Sequence, residues 1–222
     1  MTFGPIMKMK VGELEVELAP IDKDSLSSFI SPGLQQASVS RYLTMSVAPT
    51  LEDEQEWYEK VRTDQNSRVW GIWVREDQER KLIGSTALNG IKWTHVHQAT
   101  SGSLIVDQAY WGKGIASSIH KARTWYAFQH MGLHRIQSAV LRGNGGSSKA
   151  LSRSGYTLVY TERNDQYVDG SLRHMDCLEC LNPSEPFWSQ WWHGDRPSKR
   201  STMARTRTRE ALAWAEENVT LL

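Results

Sequence analysis

The feature that most constrains the fold is a β-rich stretch that runs through a glycine-containing turn directly into a long helical pattern. The stretch SLIVDQAY at 103–110 is followed by WGKGIA at 111–116, and apolar residues then recur at three- and four-residue steps as far as Met131. Gly132 follows at the place where a glycine favours the end of a helix. The sequence therefore predicts a strand, a tight turn and a long helix in immediate succession.

The turn between this strand and this helix has the composition of an anion site. Gly112 and Gly114 leave backbone N–H groups open to a closely approaching anion, and the N-terminus of the following helix adds a partial positive charge. A Gly-x-Gly pair alone is weak evidence, because most such pairs are simple turns. Together with the strand and the helix, the pair predicts a pyrophosphate site.

The rest of the chain up to residue 181 alternates strand and helix patterns. A period-two alternation predicts a strand at 14–18, and a Thr cap followed by acidic residues predicts a helix at 50–64. Further strands are predicted at 68–74, 82–88, 101–106, 135–141, 157–161 and 172–181, with a short helix at 147–154. Such an order describes an α/β domain with one central sheet that contains an antiparallel meander.

The C-terminal part of the sequence differs in composition from the rest. Residues 182–195 are rich in Pro and Trp, residues 196–209 are basic without an acid, and residues 210–222 have a helical pattern. We expect a domain at 1–182 whose sheet is complete by Leu181, and a C-terminal extension at 183–222 for acceptor recognition or assembly. The 196–209 basic run is suited to a polyanion, either a nucleic acid or the 3′-phosphate of a nucleotide, or is a solvated linker.

Composition excludes several classes of protein. A net charge of +1 over 222 residues does not favour polyanion binding by the whole surface. No apolar run suits a signal peptide or a membrane span, and two cysteines do not make a disulfide scaffold, so we expect a cytoplasmic protein without membrane contact. Cys177 and Cys180 have zinc-knuckle spacing, but strand residues three apart face opposite sides, so no metal is predicted.

Two motifs in this order resemble the GNAT superfamily of N-acetyltransferases. That family's pyrophosphate loop has Gln or Arg, two residues, Gly, one residue, and Gly or Ala; here Trp111 stands at the first position, and Gly114 and Ala116 match the others. The second motif, NGGSSKALSRSGY at 144–156, is similar to the signature of the subgroup that acetylates ribosomal-protein N-termini and many small amines. The resemblance covers residues 11–181.

The resemblance implies a GNAT-type fold, with a mixed, mostly antiparallel central sheet flanked by helices. It also implies acetyl-CoA as co-substrate, with pantetheine inserted where the strand before the loop separates from its neighbour. An N–H group near Ile105 or Val106 would then stabilise the oxyanion. The residues implied in CoA binding are Leu104, Ile105, Val106, Trp111, Gly112, Lys113, Gly114, Ile115, Ala116, Asn144 and Ser147.

The residue expected to donate a proton to the leaving thiolate differs from the one that is commonest in the superfamily. Many members place a Tyr seven residues after the Asn of the second motif, and here that position is Leu151. In the subgroup resembled, a Ser three residues after the Asn takes that role, and Ser147 matches it. Ser147 is equally suited to cap the following helix.

The general base is not fixed by the resemblance. The Glu that subgroup members often carry in the last hairpin corresponds to Gln166, which cannot accept a proton usefully. Asp165, Glu162 and His174 are alternatives, and each is also an ordinary hairpin or surface residue.

The sequence thus predicts an acetyl-CoA-dependent N-acetyltransferase that acts by direct attack of a primary amine, without a metal. A weak base favours an amine of low pKa, such as the α-amine of a protein or peptide N-terminus or a small amine. The alternative is a non-catalytic module that binds acyl-CoA or associates with nucleic acid. Either prediction is compatible with a homodimer.

Overall fold

The computed structural model describes residues 2–43, 48–76 and 79–222, and contains a nine-stranded sheet. The strands are β1 (Met7–Val11), β2 (Leu14–Ala19), β3 (Arg68–Glu76), β4 (Glu79–Lys92), β5 (Gln98–Ile105), β6 (Arg135–Leu141), β7 (Thr157–Val168), β8 (Ser171–Leu181) and β9 (Val219–Leu221). Their order across the sheet is β7-β8-β6-β5-β4-β3-β2-β1-β9. Neighbours are antiparallel except β5 and β6, which are parallel. The predicted mixed, mostly antiparallel α/β sheet is confirmed.

Six α-helices connect these strands in the described part of the chain. They are α1 (Ala37–Ser40), α2 (Leu51–Thr63), α3 (Ile115–Trp125), α4 (Gly145–Arg153), α5 (Glu185–Trp188) and α6 (Lys199–Asn218). A π-helical turn at Tyr126–His130 continues α3, so the predicted helix up to Met131 is present with a changed hydrogen-bond pattern. Within the described ranges, no helix is both long enough and apolar enough to cross a membrane.

The two faces of the sheet are covered by different elements. On one face α3 and α6 pack over the strands, and the buried cluster includes Ile115, Ile119 and Ala215. On the other face the segment between β2 and α1 contributes Ile21, Leu26, Phe29 and Leu34, against which Trp57 and Val61 of α2 pack. Because apolar residues face both layers, the sheet lies between two cores.

The α2 helix begins where its capping residues predict. The Thr50 side chain accepts a hydrogen bond from the Asp53 N–H at 3.3 Å, and the Asp53 carboxylate accepts one from the Thr50 N–H at 2.7 Å. These reciprocal bonds form a capping box, which satisfies two donors that the first helical turn leaves free. The predicted helix at 50–64 is confirmed, with Thr50 as its N-cap and Asp64 as its C-cap.

The C-terminal segment is part of the sheet and of its packing. Strand β9 pairs with β1, with Met7 opposite Leu221, so the expectation that the sheet is complete by Leu181 is wrong. Most of the basic run lies in the first half of α6, so the linker interpretation is also wrong. Helix α6 buries Thr208, Ala211 and Ala215. A functional division at residue 182 stays a prediction.

Candidate active site

The parallel strands β5 and β6 separate from each other at the centre of the sheet. They pair only where Gln98 to Thr100 face Arg135 to Gln137, although β5 continues to Ile105 and β6 to Leu141. Beyond Thr100 the β5 edge therefore has no strand partner on that side. Backbone groups that face this opening are available to a ligand that makes sheet-like hydrogen bonds.

The hydrogen-bond alternation along β5 identifies which groups these are. The Val106 N–H donates to the Ile83 carbonyl at 2.9 Å, so backbone groups at even positions point toward β4. Ser103 and Ile105 then point toward the opening. In agreement, the Trp111 indole N–H donates to the Ile105 carbonyl at 2.9 Å from outside the sheet. The Ile105 N–H is thus the free donor, and the Val106 N–H is already engaged.

The glycine turn after β5 has the left-handed conformation that its sequence predicts. Gly112 and Gly114 have φ angles of 77° and 86°, and Gly114 is the N-cap of α3. A side chain at either position would be strained, and a Cβ atom would meet nothing within 4 Å at Gly112 and only Val11 at 3.8 Å at Gly114. The first N–H groups of α3 therefore face open space, as an anion site requires.

A cavity of about 760 Å³ lies in front of this turn and meets a second one of about 440 Å³. The two share Tyr42, Leu43, Ser103, Leu104, His120, Asn144 and Ser147. Nine of the residues predicted to bind CoA line the larger cavity, namely Leu104, Ile105, Trp111, Gly112, Gly114, Ile115, Ala116, Asn144 and Ser147. The other two predicted residues lie elsewhere. Val106 packs in the second core, and Lys113 places its ammonium 5.1 Å from the Tyr110 ring centre.

Ser147 lies in the first turn of α4 and lines both cavities. Its N–H donates to the Asn144 side-chain oxygen at 3.2 Å, so Asn144 is the N-cap. The interpretation of Ser147 as the helix cap is therefore wrong, and the hydroxyl of Ser147 is not needed to begin the helix. Leu151, at the position of the commoner Tyr, is buried in the wall of the smaller cavity and carries no exchangeable proton.

The structure does not bring the three candidate bases to either cavity. Asp165 and Glu162 are exposed on β7, and Asp165 accepts a hydrogen bond from the Gln166 amide at 3.0 Å. His174 lies on β8 and accepts a hydrogen bond at Nδ1 from the Asn164 N–H at 3.1 Å. All three sit on the β7–β8 hairpin and none of them lines a cavity, although Met175, which follows His174 and pairs with Glu162, lines the smaller one. A base role for any of them stays a prediction.

Several cavity residues had no recognised signal in the sequence. The Tyr42 hydroxyl donates to the Gly143 carbonyl at 3.1 Å, which ties the segment after α1 to the loop before α4. Lys149 and Arg153 of α4 supply positive charge to the larger cavity. Among the described residues, no Asp or Glu lines either cavity. The site is therefore suited to an anionic ligand.

Burial fixes the protonation state of two residues at the cavity wall. Burial lowers the pKa of His120 well below its usual 6.5, and the positive charge of Arg123 lowers it further, so the imidazole is neutral at pH 7. Burial also raises the pKa of Tyr110 to about 12, so its hydroxyl keeps its proton.

The two cysteines do not form a site. Cys180 is fully buried, and burial raises the pKa of its thiol to about 12, which makes thiolate chemistry unfavourable. Over residues 2–43, 48–76 and 79–222, no group of three or more His, Cys, Asp or Glu side chains lies together as metal ligands would.

Sequence comparison relates the chain to known acetyltransferases. Residues 15–157 match the family described as "Acetyltransferase (GNAT) domain". The "Probable N-acetyltransferase YjcK" of Bacillus subtilis is 29% identical over 130 residues, which is 59% of this chain and 70% of that protein. The spermidine N(1)-acetyltransferase of Escherichia coli K12 is 21% identical over 159 residues, 72% of this chain and 82% of that one.

Solved structures share the fold. Spermidine N-acetyltransferase from Vibrio cholerae, in complex with CoA and spermine, has a TM-score of 0.66 at 20% identity and covers 75% of this chain and 95% of its own. RimJ from Mycobacterium smegmatis, in complex with CoA-disulfide, has a TM-score of 0.66 at 18% identity, with 94% and 93% coverage. The family match spans most of the chain, which therefore belongs to the GNAT acetyltransferase family.

Proposed function

We propose that this acetyltransferase moves an acetyl group from acetyl-CoA to a primary amine that carries no second positive charge. The observation that carries the proposal is the separation of β5 from β6 directly beside the glycine turn. One ligand can then pair with the β5 edge and place a pyrophosphate at the N-terminus of α3. Structural neighbours that were solved with CoA and with CoA-disulfide support this choice of donor.

The donor would lie along the larger cavity. Pantetheine would pair with the backbone of Ser103, which faces the opening, and the pyrophosphate would accept hydrogen bonds from the N–H groups between Gly112 and Ala116. Lys149 and Arg153 line the same cavity and would face the remaining phosphate charge. Together these contacts would match the extended pantetheine arm and the negative phosphates of a CoA thioester.

Two described groups are suited to the chemistry at the thioester. The free Ile105 N–H would stabilise the oxyanion that forms when the amine attacks, a contribution of about 3 kcal/mol in comparable sites. The amine nitrogen forms a bond to the carbonyl carbon, and the carbon–sulfur bond then breaks. Ser147, which lines both cavities, would donate a proton to the departing thiolate, and the proton that the amine nitrogen loses would pass to solvent water, from which Ser147 regains its own.

The acceptor preference follows from the charges at the cavities. No described carboxylate lines them, so a polycation such as spermine would find no counter-charge there. The imidazole of His120, which lines both cavities, is a weak base because burial lowers its pKa well below 6.5, and a weak base favours an amine that is already partly neutral. An α-amine with a pKa of ~8 meets this need better than a lysine-type amine with a pKa of ~10.4. We therefore infer a peptide N-terminus or a small uncharged amine as acceptor.

The test is thiol release from acetyl-CoA with a panel of amines at neutral pH. The panel pairs a short uncharged peptide with its N-terminally blocked, lysine-containing counterpart, and includes spermidine. We expect the free α-amine to react fastest and spermidine slowest. A reversed order contradicts the acceptor assignment. Tight binding of acetyl-CoA without release for any amine would instead favour a non-catalytic acyl-CoA-binding module.

A further inference from the structure

Unpartnered buried polar groups are concentrated beneath the opening between β5 and β6. Eight buried side-chain nitrogen or oxygen atoms lack a hydrogen-bond partner within the described chain. Six of them belong to one cluster around Arg123, whose charge influences the pKa of both His120 and Tyr156. Ser101 and Thr124 lie within hydrogen-bonding reach of the Tyr156 hydroxyl, so these three groups can satisfy one another. His120 Nδ1 and the Nε and Nη2 atoms of Arg123 are left without any partner in the described chain. Because buried polar groups are normally paired, such a concentration calls for a ligand.

Arg123 is the charged member of this cluster. Its Nη1 donates to Thr86 Oγ1 at 2.6 Å, to the Gly102 carbonyl at 2.8 Å and to Ser103 Oγ at 2.7 Å. These bonds hold the guanidinium against the β4–β5 pair and leave the N–H groups of Nε and Nη2 unused. The residue is fully buried, and among the described residues it has no carboxylate partner. An unpaired buried cation is unfavourable, and an anion would relieve that cost.

The cluster adjoins the place where the acyl group of the donor would lie. Arg123, Ser101, Ser138 and His120 line the smaller cavity of about 440 Å³. The smaller cavity shares Ser147 and six other residues with the larger cavity, in which the donor would lie. Arg123 also bonds to Gly102 and Ser103, the two residues that precede Leu104 on β5. A short acyl chain that leaves the thioester toward α3 therefore ends near the guanidinium.

We propose that this cavity accepts, in addition to acetyl, a four- or five-carbon acyl group that ends in a carboxylate, and that Arg123 binds this carboxylate. The inference rests on the proposed acyl transfer and names a further donor class, the CoA thioesters of dicarboxylic acids. The transfer step is unchanged. The amine nitrogen bonds to the thioester carbonyl, the carbon–sulfur bond breaks, and the thiolate takes a proton, while the terminal carboxylate stays on the product amide.

The donor is a better source of this carboxylate than the acceptor. Arg123 extends from α3, the helix whose N-terminus lies at the pyrophosphate turn, and so belongs to the donor side of the sheet. The opposite wall of the smaller cavity carries no charged side chain: Leu43, Trp57, Val61 and Ala87 form it, with Ser85 and Asn89 on the same face of β4 as Ala87. An acceptor that approaches along that wall meets no cation. The carboxylate that reaches Arg123 therefore arrives attached to the CoA thioester.

The test compares succinyl-CoA with butyryl-CoA, which has the same number of acyl carbons and a methyl group in place of the carboxylate. Calorimetry without any acceptor measures the two dissociation constants for the full chain. We expect succinyl-CoA to bind about tenfold tighter or more. In Arg123→Met the ratio should fall to one or reverse, whereas Arg135→Met, which changes an arginine outside both cavities, should keep it.

Three results overturn this proposal. Equal affinities of the wild-type chain for the two thioesters do so without any variant, even if Arg123→Met fails to fold. A succinyl preference that survives in folded Arg123→Met removes the assignment to Arg123. A preference for carboxylate-bearing acceptors that is lost in Arg123→Met, without a donor preference, assigns the cavity to the acceptor. Failure of the proposed acetyl transfer is seen separately, as absent thiol release from acetyl-CoA with every amine.

Discussion

Replacement of Gly155 by alanine should loosen the C-terminal helix from the domain. Gly155 has a φ angle of +88°, and a Cβ atom there would lie 2.0 Å from Thr208 Oγ1, 2.7 Å from Thr208 N and 2.9 Å from the Ala204 carbonyl. Two of these three atoms belong to the α6 backbone, which cannot rotate away as a side chain does. The whole helix must therefore move outward by a substantial fraction of an ångström.

The expected loss of stability has two parts. The left-handed conformation costs an alanine about 1–2 kcal/mol. The displaced helix also loses part of the packing of Ala211, Leu212 and Ala215, and a leucine alone contributes about 1.5–3 kcal/mol when fully buried. We expect Gly155→Ala to lower the free energy of unfolding by about 2–4 kcal/mol.

Urea unfolding of Gly132→Ala provides the matched control. Gly132 also has a positive φ, +67°, but a Cβ atom there would meet nothing within 4 Å. This variant should therefore lose only the conformational cost of about 1–2 kcal/mol. Equal losses in the two variants would refute the close docking of α6 against Gly155.

Three further changes test the site. Ser147→Ala should lower kcat by about a hundredfold and leave the Kd of acetyl-CoA within about threefold, because a proton donor acts in the transition state; normal turnover would remove this role. Arg153→Ala should weaken acetyl-CoA binding with little change in kcat, and an effect that does not shrink in salt would argue against a phosphate contact. Since burial lowers the pKa of His120 below its unfolded 6.5, stability should fall as the pH drops below 6.5, by up to ~1.4 kcal/mol per pH unit. Urea unfolding at pH 7.5 and 5.5 should show a smaller fall in His120→Leu, and equal falls would contradict it.

Local chemistry explains why much of the fold was predictable. The helix start at Thr50 is encoded by a cap and an acid three residues later, and the left-handed turn at Gly114 by a residue type that adopts it without strain. Strand β6 has the bounds that its β-rich pattern predicts, Arg135–Leu141. In each case the residues that determine the structure are neighbours in the sequence.

Features set by distant partners were not predictable in this way. Strand β1 and the three-residue β9 form one edge of the sheet, and their pairing joins residues more than 200 positions apart. Gly155 was recognised as part of a motif, but its close contact with Thr208 depends on where α6 docks. Short strands carry little local signal, so tertiary contacts decide them.

The polar cluster in the site had a signal that periodicity could have given. Arg123 lies four residues after Ile119 and eight after Ile115, on the apolar stripe of α3. A cation at such a position contradicts the pattern of the helix and so marks a functional candidate. The base could not be located, because neither Asp165 nor His174 lines either cavity, although their hairpin contributes Met175 to the smaller one.

The most direct test of the account is the affinity of acetyl-CoA for Gly114→Glu. The change places a side chain and a negative charge where the pyrophosphate would meet the N-terminus of α3. Gly170→Glu is the control, because Gly170 also has a positive φ, +75°, and open space around it, but lies in the β7–β8 hairpin. Calorimetry should detect no binding to Gly114→Glu and near-normal binding to Gly170→Glu. A folded Gly114→Glu variant with unchanged affinity would contradict the assignment of this cleft to the acyl-CoA donor.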